Sequence, residues 1–298
     1  MPSDSTRAVR PSEVLALPVL HAPRRRHLSN RRLTAITFAL AMVALAAVVI
    51  GGLLASDAAT ATDFSAKNIA PCLAHPFGTD QMGRDMFLRT LAGLSTSVLV
   101  GLLAAGVSSV IALLLGAAAA LGGRKADAVV TWHIDLVMCV PHIILLILIS
   151  FALGKGFWGV TVGVALTHWT SLTRVVRAEI LQYRQSTFVA AARKLGASRV
   201  QLALRHMLPY VLPQYLVGLI LLFPHAILHE ASLTFLGFGL PPEQPAIGII
   251  LSESMTYLSA GMWWLAVFPG LALIGTVLLF DVAGSSLRRL VDPHSAQE

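Results

Sequence analysis

The sequence predicts an all-α, polytopic membrane protein: six transmembrane helices, with a short helix-turn-helix held outside the bilayer. Of 298 residues, 56% are hydrophobic and only 12% charged, and the mean hydropathy of +0.74 lies far above that of soluble domains. Six segments (33–55, 95–121, 129–152, 157–173, 210–230 and 263–285) come close to the roughly 20 apolar residues that a hydrocarbon core demands of a helix. Between the fourth and fifth lies Val189–Pro209, polar and basic, with punctuation for two short helices.

In chain order, residues 1–32 form a Pro- and Arg-rich tail, and the apolar run 33–55 is too long and lacks the cleavage pattern for a removable signal peptide. It reads as a first span. Residues 56–94 make an outer loop too short for a separate binding domain, so substrate must be delivered by another protein. Within it, Gly78-Thr79-Asp80 looks like a turn and a helix N-cap. The core, 95–287, holds the other five spans, and 288–298 is a second tail. Pro141 and Pro224 fall inside spans three and five, where each removes a helix hydrogen bond and permits a kink. Gly159 and Gly163, four apart, favour close helix packing. In the polar segment 186–209, Gly196 suits the left-handed residue that ends one helix, and Ser198 with Gln201 has the form of a capping box that opens the next. Such a pair either docks on a protein or lies on anionic lipid. After span five, Gly237, Gly239, Pro241 and Pro242 cannot continue a helix, so the chain turns back, either as a re-entrant segment near a translocation path or as an ordinary turn.

Lys and Arg set the orientation. With the N-terminus inside, eighteen of them lie on the inner side, against Lys67, Arg84, Arg89 and Lys155 outside. Both termini and the 186–209 segment are then cytoplasmic. The net charge of +7 reads as topology and contact with anionic lipid; no motif supports nucleic-acid binding. Cys72 and Cys139, one in the outer loop and one in a span, suggest neither a disulfide nor a metal site.

Ionisable groups inside a span usually face a cavity or a partner. His225 and His229 share one face of span five, with Glu230 adjacent, and such a pair either ligates nickel, copper or zinc or is hydrogen-bonded to neighbouring helices. His168 and His142 add two candidates. No Gly-x-x-x-x-Gly-Lys-Ser/Thr occurs, so energy from ATP would have to come from partners. A stand-alone secondary transporter or channel would favour ion-coupling acids, for which Asp135 and Asp281 near span ends are the candidates. No nucleophile and base pair demands a membrane enzyme.

The segment Ala191-Ala192-Arg193-x-x-Gly196, closing on Leu208-Pro209, resembles the "EAA" coupling loop of ABC-importer permeases, with Ala190 where Glu is usual. Gly78-Thr79-Asp80-x-x-Gly83-Arg84-Asp85 resembles the "GTDxxGRD" signature of one permease type in the dipeptide, oligopeptide and nickel importer family. Ser232-Leu-Thr-Phe-Leu-Gly-Phe-Gly-Leu-Pro-Pro242 is similar to its "SFLGLGxxPP" segment, and Leu287-Arg-Arg-Leu-Val-Asp-Pro293 to its "LRDxLDP" tail, so the likeness spans about 75–294.

The resemblance implies a type I ABC importer permease in a bacterial inner membrane, paired with a second, homologous permease. Two ATPase subunits that bind ATP and magnesium and an extracytoplasmic substrate-binding protein complete the assembly, and this chain holds no cofactor of its own. It implies ATPase coupling through Ala191, Ala192, Arg193, Gly196, Ser198, Arg205, Leu208 and Pro209, and a substrate path past His168, His225, His229, Glu230, Gly237 and Gly239. The His-x-x-x-His before the Gly-Pro segment and Thr167-His168-Trp169 resemble the nickel branch, which makes nickel, free or chelated, the expected cargo, with His225 and His229 as its ligands and di- or oligopeptides as the alternative.

Overall fold

The protein is described by a computed structural model that covers residues 27–198 and 201–291. The outer parts of both tails, 1–26 and 292–298, lie outside the described residues. Among the described residues the regular structure is helical, with no strand. The helices are α1 (His27–Leu54), a five-residue α2 (Ser56–Thr60), α3 (Met86–Leu121), α4 (Arg124–Cys139), α5 (His142–Ala152), α6 (Gly156–Arg184), α7 (Thr187–Lys194), α8 (Leu208–Phe235), α9 (Ile247–Leu258) and α10 (Trp264–Val291).

Helices α3 and α6 form the centre. Helix α1 packs on α3 and α10, α8 lies against α3, α6 and α10, and α5 lies against α6. The six-span expectation is modified in two places. Four described helices, α1, α3, α8 and α10, are long and apolar enough to cross a membrane, and α4 with α5 makes a fifth only if a pair bent by 93° counts as one span. Pro141 causes the bend. Without an N–H, and with steric pressure on the residue before it, it forces Val140 into extended backbone. The third segment is therefore a broken pair rather than a kinked helix.

The second modification concerns α6. At 29 residues it is roughly 43 Å long, ample for a bilayer, yet too polar to count by composition. The polar residues of its first five turns, Thr161, Thr167, His168, Thr170 and Thr173, are buried in protein. The hydroxyls of Thr161, Thr167 and Thr173 donate to the carbonyls of Phe157, Gly163 and Trp169 at 2.7, 3.0 and 2.7 Å, which removes most of the cost of burying them. Gly159 lets α5 approach closely: a Cβ there would stand 3.1 Å from the Ser150 carbonyl.

The outer loop is shorter than its sequence suggests, because α3 starts at Met86 rather than near residue 95. Its N-cap is Asp85, not Thr79 or Asp80: the Asp85 carboxylate accepts from the amides of Phe87 and Leu88 at 2.8 and 3.0 Å. The ends of the long helices alternate between two faces. One carries the 122–123 turn, α7 and the start of α8; the other carries the 61–85 loop, the α5–α6 turn and the segment 236–246.

Candidate functional site

The break at Pro141 has a consequence for chemistry. It makes His142 the first residue of α5 and aims it between α6 and α8, where it meets His168 and His229. The ring centroids stand 4.7 Å (His142 to His168), 4.5 Å (His142 to His229) and 4.9 Å (His168 to His229) apart, all near edge-to-face. One ring nitrogen from each lies within 4.8 Å of the others.

Backbone carbonyls fix how these rings present themselves. His168 Nδ1 lies 3.0 Å from the Val164 carbonyl and His229 Nδ1 lies 2.7 Å from the His225 carbonyl. A carbonyl only accepts, so each Nδ1 carries the hydrogen and each Nε2 keeps a lone pair. His168 Nε2 also sits 3.3 Å from His229 Nδ1. His142 Nε2 is buried without a hydrogen-bond partner. The rings border a cavity of about 630 Å³, lined also by Pro141, Thr167, Thr170, Ser171, Gly218 and His225.

His225 and His229, paired by spacing in the sequence, are thus both at this cavity, but the rings that crowd His229 come from α5 and α6. His225 stands one turn away, with its Nδ1 on the Leu221 carbonyl at 2.9 Å. Glu230 does not line the cavity. It is fully buried, and its Oε1 accepts from the Thr234 hydroxyl at 2.8 Å. Gly237 and Gly239 lie roughly two turns beyond His229, in the reversal that ends α8. Phe238 N–H bonds to the Leu233 carbonyl and Gly237 N–H to the Thr234 carbonyl, both at 3.0 Å, a Schellman closure. The α5–α6 turn clasps this reversal: Gly156 N–H donates to the Gly239 carbonyl at 3.0 Å, Ser150 to the Phe238 carbonyl at 3.0 Å, and Lys155 to the Gly237 carbonyl at 3.3 Å.

At the opposite face the helix-turn-helix is present as read from its punctuation. Helix α7 ends in a Schellman closure, Ala197 N–H to the Ala192 carbonyl and Gly196 N–H to the Arg193 carbonyl, both at 3.1 Å. Gly196 takes φ +89°, where an L side chain is strained. The capping box closes reciprocally: Ser198 N–H donates to Gln201 Oε1 at 2.9 Å, and Gln201 N–H to Ser198 Oγ at 3.2 Å. A π-helical turn, Leu202–Met207, leads into α8, with Pro209 as its second residue.

Val189, Leu202 and Met207 are buried in one cluster with Ile134, Trp169 and Val176, which ties this helix pair to the bundle, and Ala192 packs on the same cluster. Ala191, Arg193, Ser198, Arg205 and Pro209 are exposed, while Leu208 is partly buried. Leu195 is 89% exposed at the tip. It was missed in the sequence, where an apolar residue before Gly196 reads as the end of an amphipathic helix.

The Gly78–Asp85 motif is accounted for by the fold. Asp80 accepts from the Met82 and Arg84 amides at 2.8 and 3.0 Å, from Arg84 Nε at 2.6 Å and from Arg89 Nη1 at 3.1 Å. Thr79 Oγ1 donates to the Ala66 carbonyl at 2.5 Å and accepts from the Ile69 amide at 2.8 Å. Asp135 pairs with Arg174 at 3.2 Å and is exposed, as a helix-end residue would be.

Residues 112–297 match the family model described as "Binding-protein-dependent transport system inner membrane component". A Brucella suis protein assigned as a peptide permease is 40% identical over 78% of each chain. The Escherichia coli K12 protein assigned as DdpC, a D,D-dipeptide transport system permease, is 32% identical over 90% of each. Among solved structures, the MetNI methionine ABC transporter in inward-facing form aligns with a TM-score of 0.59 at 19% identity, covering 70% of this chain and 98% of that one. That likeness shows a shared type I ABC importer permease fold.

Proposed function

The chain belongs to the binding-protein-dependent transport system inner membrane components and is an ABC importer permease subunit, and from this premise we propose that its cargo class is small peptides. The peptide-permease assignments of its relatives support this over free nickel. In this reading the chain pairs with a second, homologous permease in a bacterial inner membrane, with both termini cytoplasmic. Two ATPase subunits bind ATP and magnesium, and an extracytoplasmic binding protein delivers the cargo.

One observation carries the mechanical part: a capped, rigid helix pair that buries Val189, Leu202 and Met207 in the bundle core while presenting Leu195 and Arg193 outward. Ala191, Ala192, Gly196, Ser198, Arg205, Leu208 and Pro209 shape that lever. Force applied at Leu195 is transmitted through the π-helical turn to α8, which carries His225 and His229. Closing of the ATPases would thereby change the width of the histidine cavity, and the clasped reversal at Gly237 and Gly239 would act as its outer closure.

Nickel is the second reading, favoured by the meeting of His142, His168 and His229. Uptake of a labelled dipeptide and of radioactive nickel, compared in cells with and without this chain, separates the two. Loss of dipeptide uptake with nickel uptake unchanged supports the peptide reading; the reverse refutes it.

A further inference from the structure

We propose that a second cavity, at the inner ends of α6, α8 and α10, is a binding site for a small zwitterion, a molecule that carries a primary ammonium and an oxyanion together. The class includes free amino acids and short peptides, and the headgroup of an aminophospholipid. The site is separate from the histidine cavity and does not depend on the identity of the cargo.

The cavity holds about 290 Å³ and lies on the face that carries α7. Glu179 and Tyr183 come from the last two turns of α6, Pro209 and Tyr210 from the first turn of α8, Gln214 from its second, and Arg288 from the last turn of α10. Opposite charges thus border one small space, whereas no Asp, Glu, Lys or Arg lines the histidine cavity. Among the described residues, neither Glu179 nor Arg288 forms an ion pair or a side-chain hydrogen bond, with each other or with a third group. The backbone adds an acceptor. Pro213 sits inside α8 without an N–H, so the Pro209 carbonyl, one turn earlier, lacks the donor that an unbroken helix supplies.

These groups divide by the charge they recognise. The Glu179 carboxylate and the Pro209 carbonyl only accept, which suits the hydrogens of a primary ammonium, and a tyrosine ring offers the same cation its face. Arg288 only donates, in a planar fork that matches a carboxylate or a phosphate. The rings of Tyr183 and Tyr210 stand 5.3 Å apart, inclined at 31°, and with the buried Val217 they give the cavity an apolar wall. A ligand with one charge leaves the opposite group unanswered; a zwitterion engages both and brings no net charge to the edge of the bilayer. Arg288 and Tyr210 are exposed, so the site is open to a dissolved molecule and to a lipid headgroup alike. Either occupant joins α6, α8 and α10 at the point where the lever enters α8.

The test uses the intact importer, with both permeases and both ATPases and without ATP. It is placed in nanodiscs of phosphatidylglycerol alone or with an equal part of phosphatidylethanolamine. Binding of labelled alanylalanine is measured by equilibrium dialysis, with its N-acetyl and C-terminal amide derivatives, each lacking one charge, as competitors. Lipid retained by the protein in detergent is read by native mass spectrometry. Alanylalanine bound in both kinds of disc identifies a free zwitterion as the occupant. Alanylalanine bound only in phosphatidylglycerol discs, with phosphatidylethanolamine retained by the protein, identifies the headgroup. In both cases affinity for the occupant should fall at least about tenfold in Glu179→Gln and in Arg288→Gln. It should be unchanged in Lys125→Gln, an exposed charge on the same face. The two modified peptides should compete at least about tenfold more weakly than alanylalanine itself. Absence of both occupants, binding that ignores Glu179→Gln and Arg288→Gln, or equal competition by the singly charged peptides overturns the proposal. Dipeptide uptake by proteoliposomes, measured with the same variants, keeps this site apart from the importer reading. Uptake that persists where no Glu179- and Arg288-dependent binding is found removes the site alone.

Discussion

Replacing Asp80 by alanine tests whether the Gly78–Asp85 motif is a structural knot. The Asp80 and Arg89 side chains are 3% and 4% exposed. Asp80 takes two amide and two guanidinium hydrogen bonds, so its loss strands Arg89 with Glu253, 2.7 Å away and 31% exposed. Removing one partner of a buried ion pair costs about 3–5 kcal/mol because the other charge remains. Glu253 retains part of the compensation and places the effect near the lower end, about 3 kcal/mol. At roughly 2–4 °C per kcal/mol for a chain of this order, the apparent melting temperature should fall by about 6–12 °C. The assay is heating of the solubilised importer followed by size-exclusion chromatography. If uncompensated charge is the cause, adding Arg89→Met should recover part of the loss, with a coupling of about 1 kcal/mol or more between the two sites. A fall below 2 °C, or strict additivity, refutes the reasoning.

In the same assay, Gly83→Ala should lower the melting temperature at least as much, since a Cβ there would lie 1.7 Å from the Asp63 carbonyl oxygen, on backbone at φ +73°. Gly196→Ala meets open space, so its cost is only the left-handed backbone, about 1–2 kcal/mol confined to the lever. It should reduce ATP-driven uptake at unchanged complex yield, with Gly196→Asn milder. Asp127→Ala removes a two-pronged pair with Arg177, at 2.5 and 2.7 Å, that is about one-third exposed. It should cost no more than about 1 kcal/mol, an effect that fades in high salt.

Local chemistry made much of this fold legible in the sequence. Gly196, Ser198 and Gln201 specify their own hydrogen bonds within a few residues, and the structure forms them as read. Apolar length found α1, α3, α8 and α10, but missed the polarity of α6, because hydropathy does not record that its threonines bond their own helix and face protein. Pro141 signalled a kink, whereas the degree of bending depends on what α5 packs against. The histidine site was half legible. Spacing put His225 and His229 on one face of α8, but the convergence of His142 and His168 on His229 belongs to the crossing of three helices, which periodicity does not encode. Leu195 was hidden for a similar reason: exposure at the tip of a lever is a property of the whole bundle.

The central claim is that this chain couples ATP hydrolysis on partner subunits to its histidine-lined cavity through the 187–207 lever. The most direct measurement is ATP-dependent uptake of a labelled dipeptide by proteoliposomes holding the complete importer, with the native chain and with Leu195→Asp. Because Leu195 is 89% exposed, the substitution leaves the permease fold intact. If the residue anchors the ATPase contact, its loss costs about 2 kcal/mol or more. Uptake should then fall by at least tenfold, with both permeases still co-purifying. Uptake unchanged by Leu195→Asp, or uptake that proceeds without the ATPase subunits, would contradict the account.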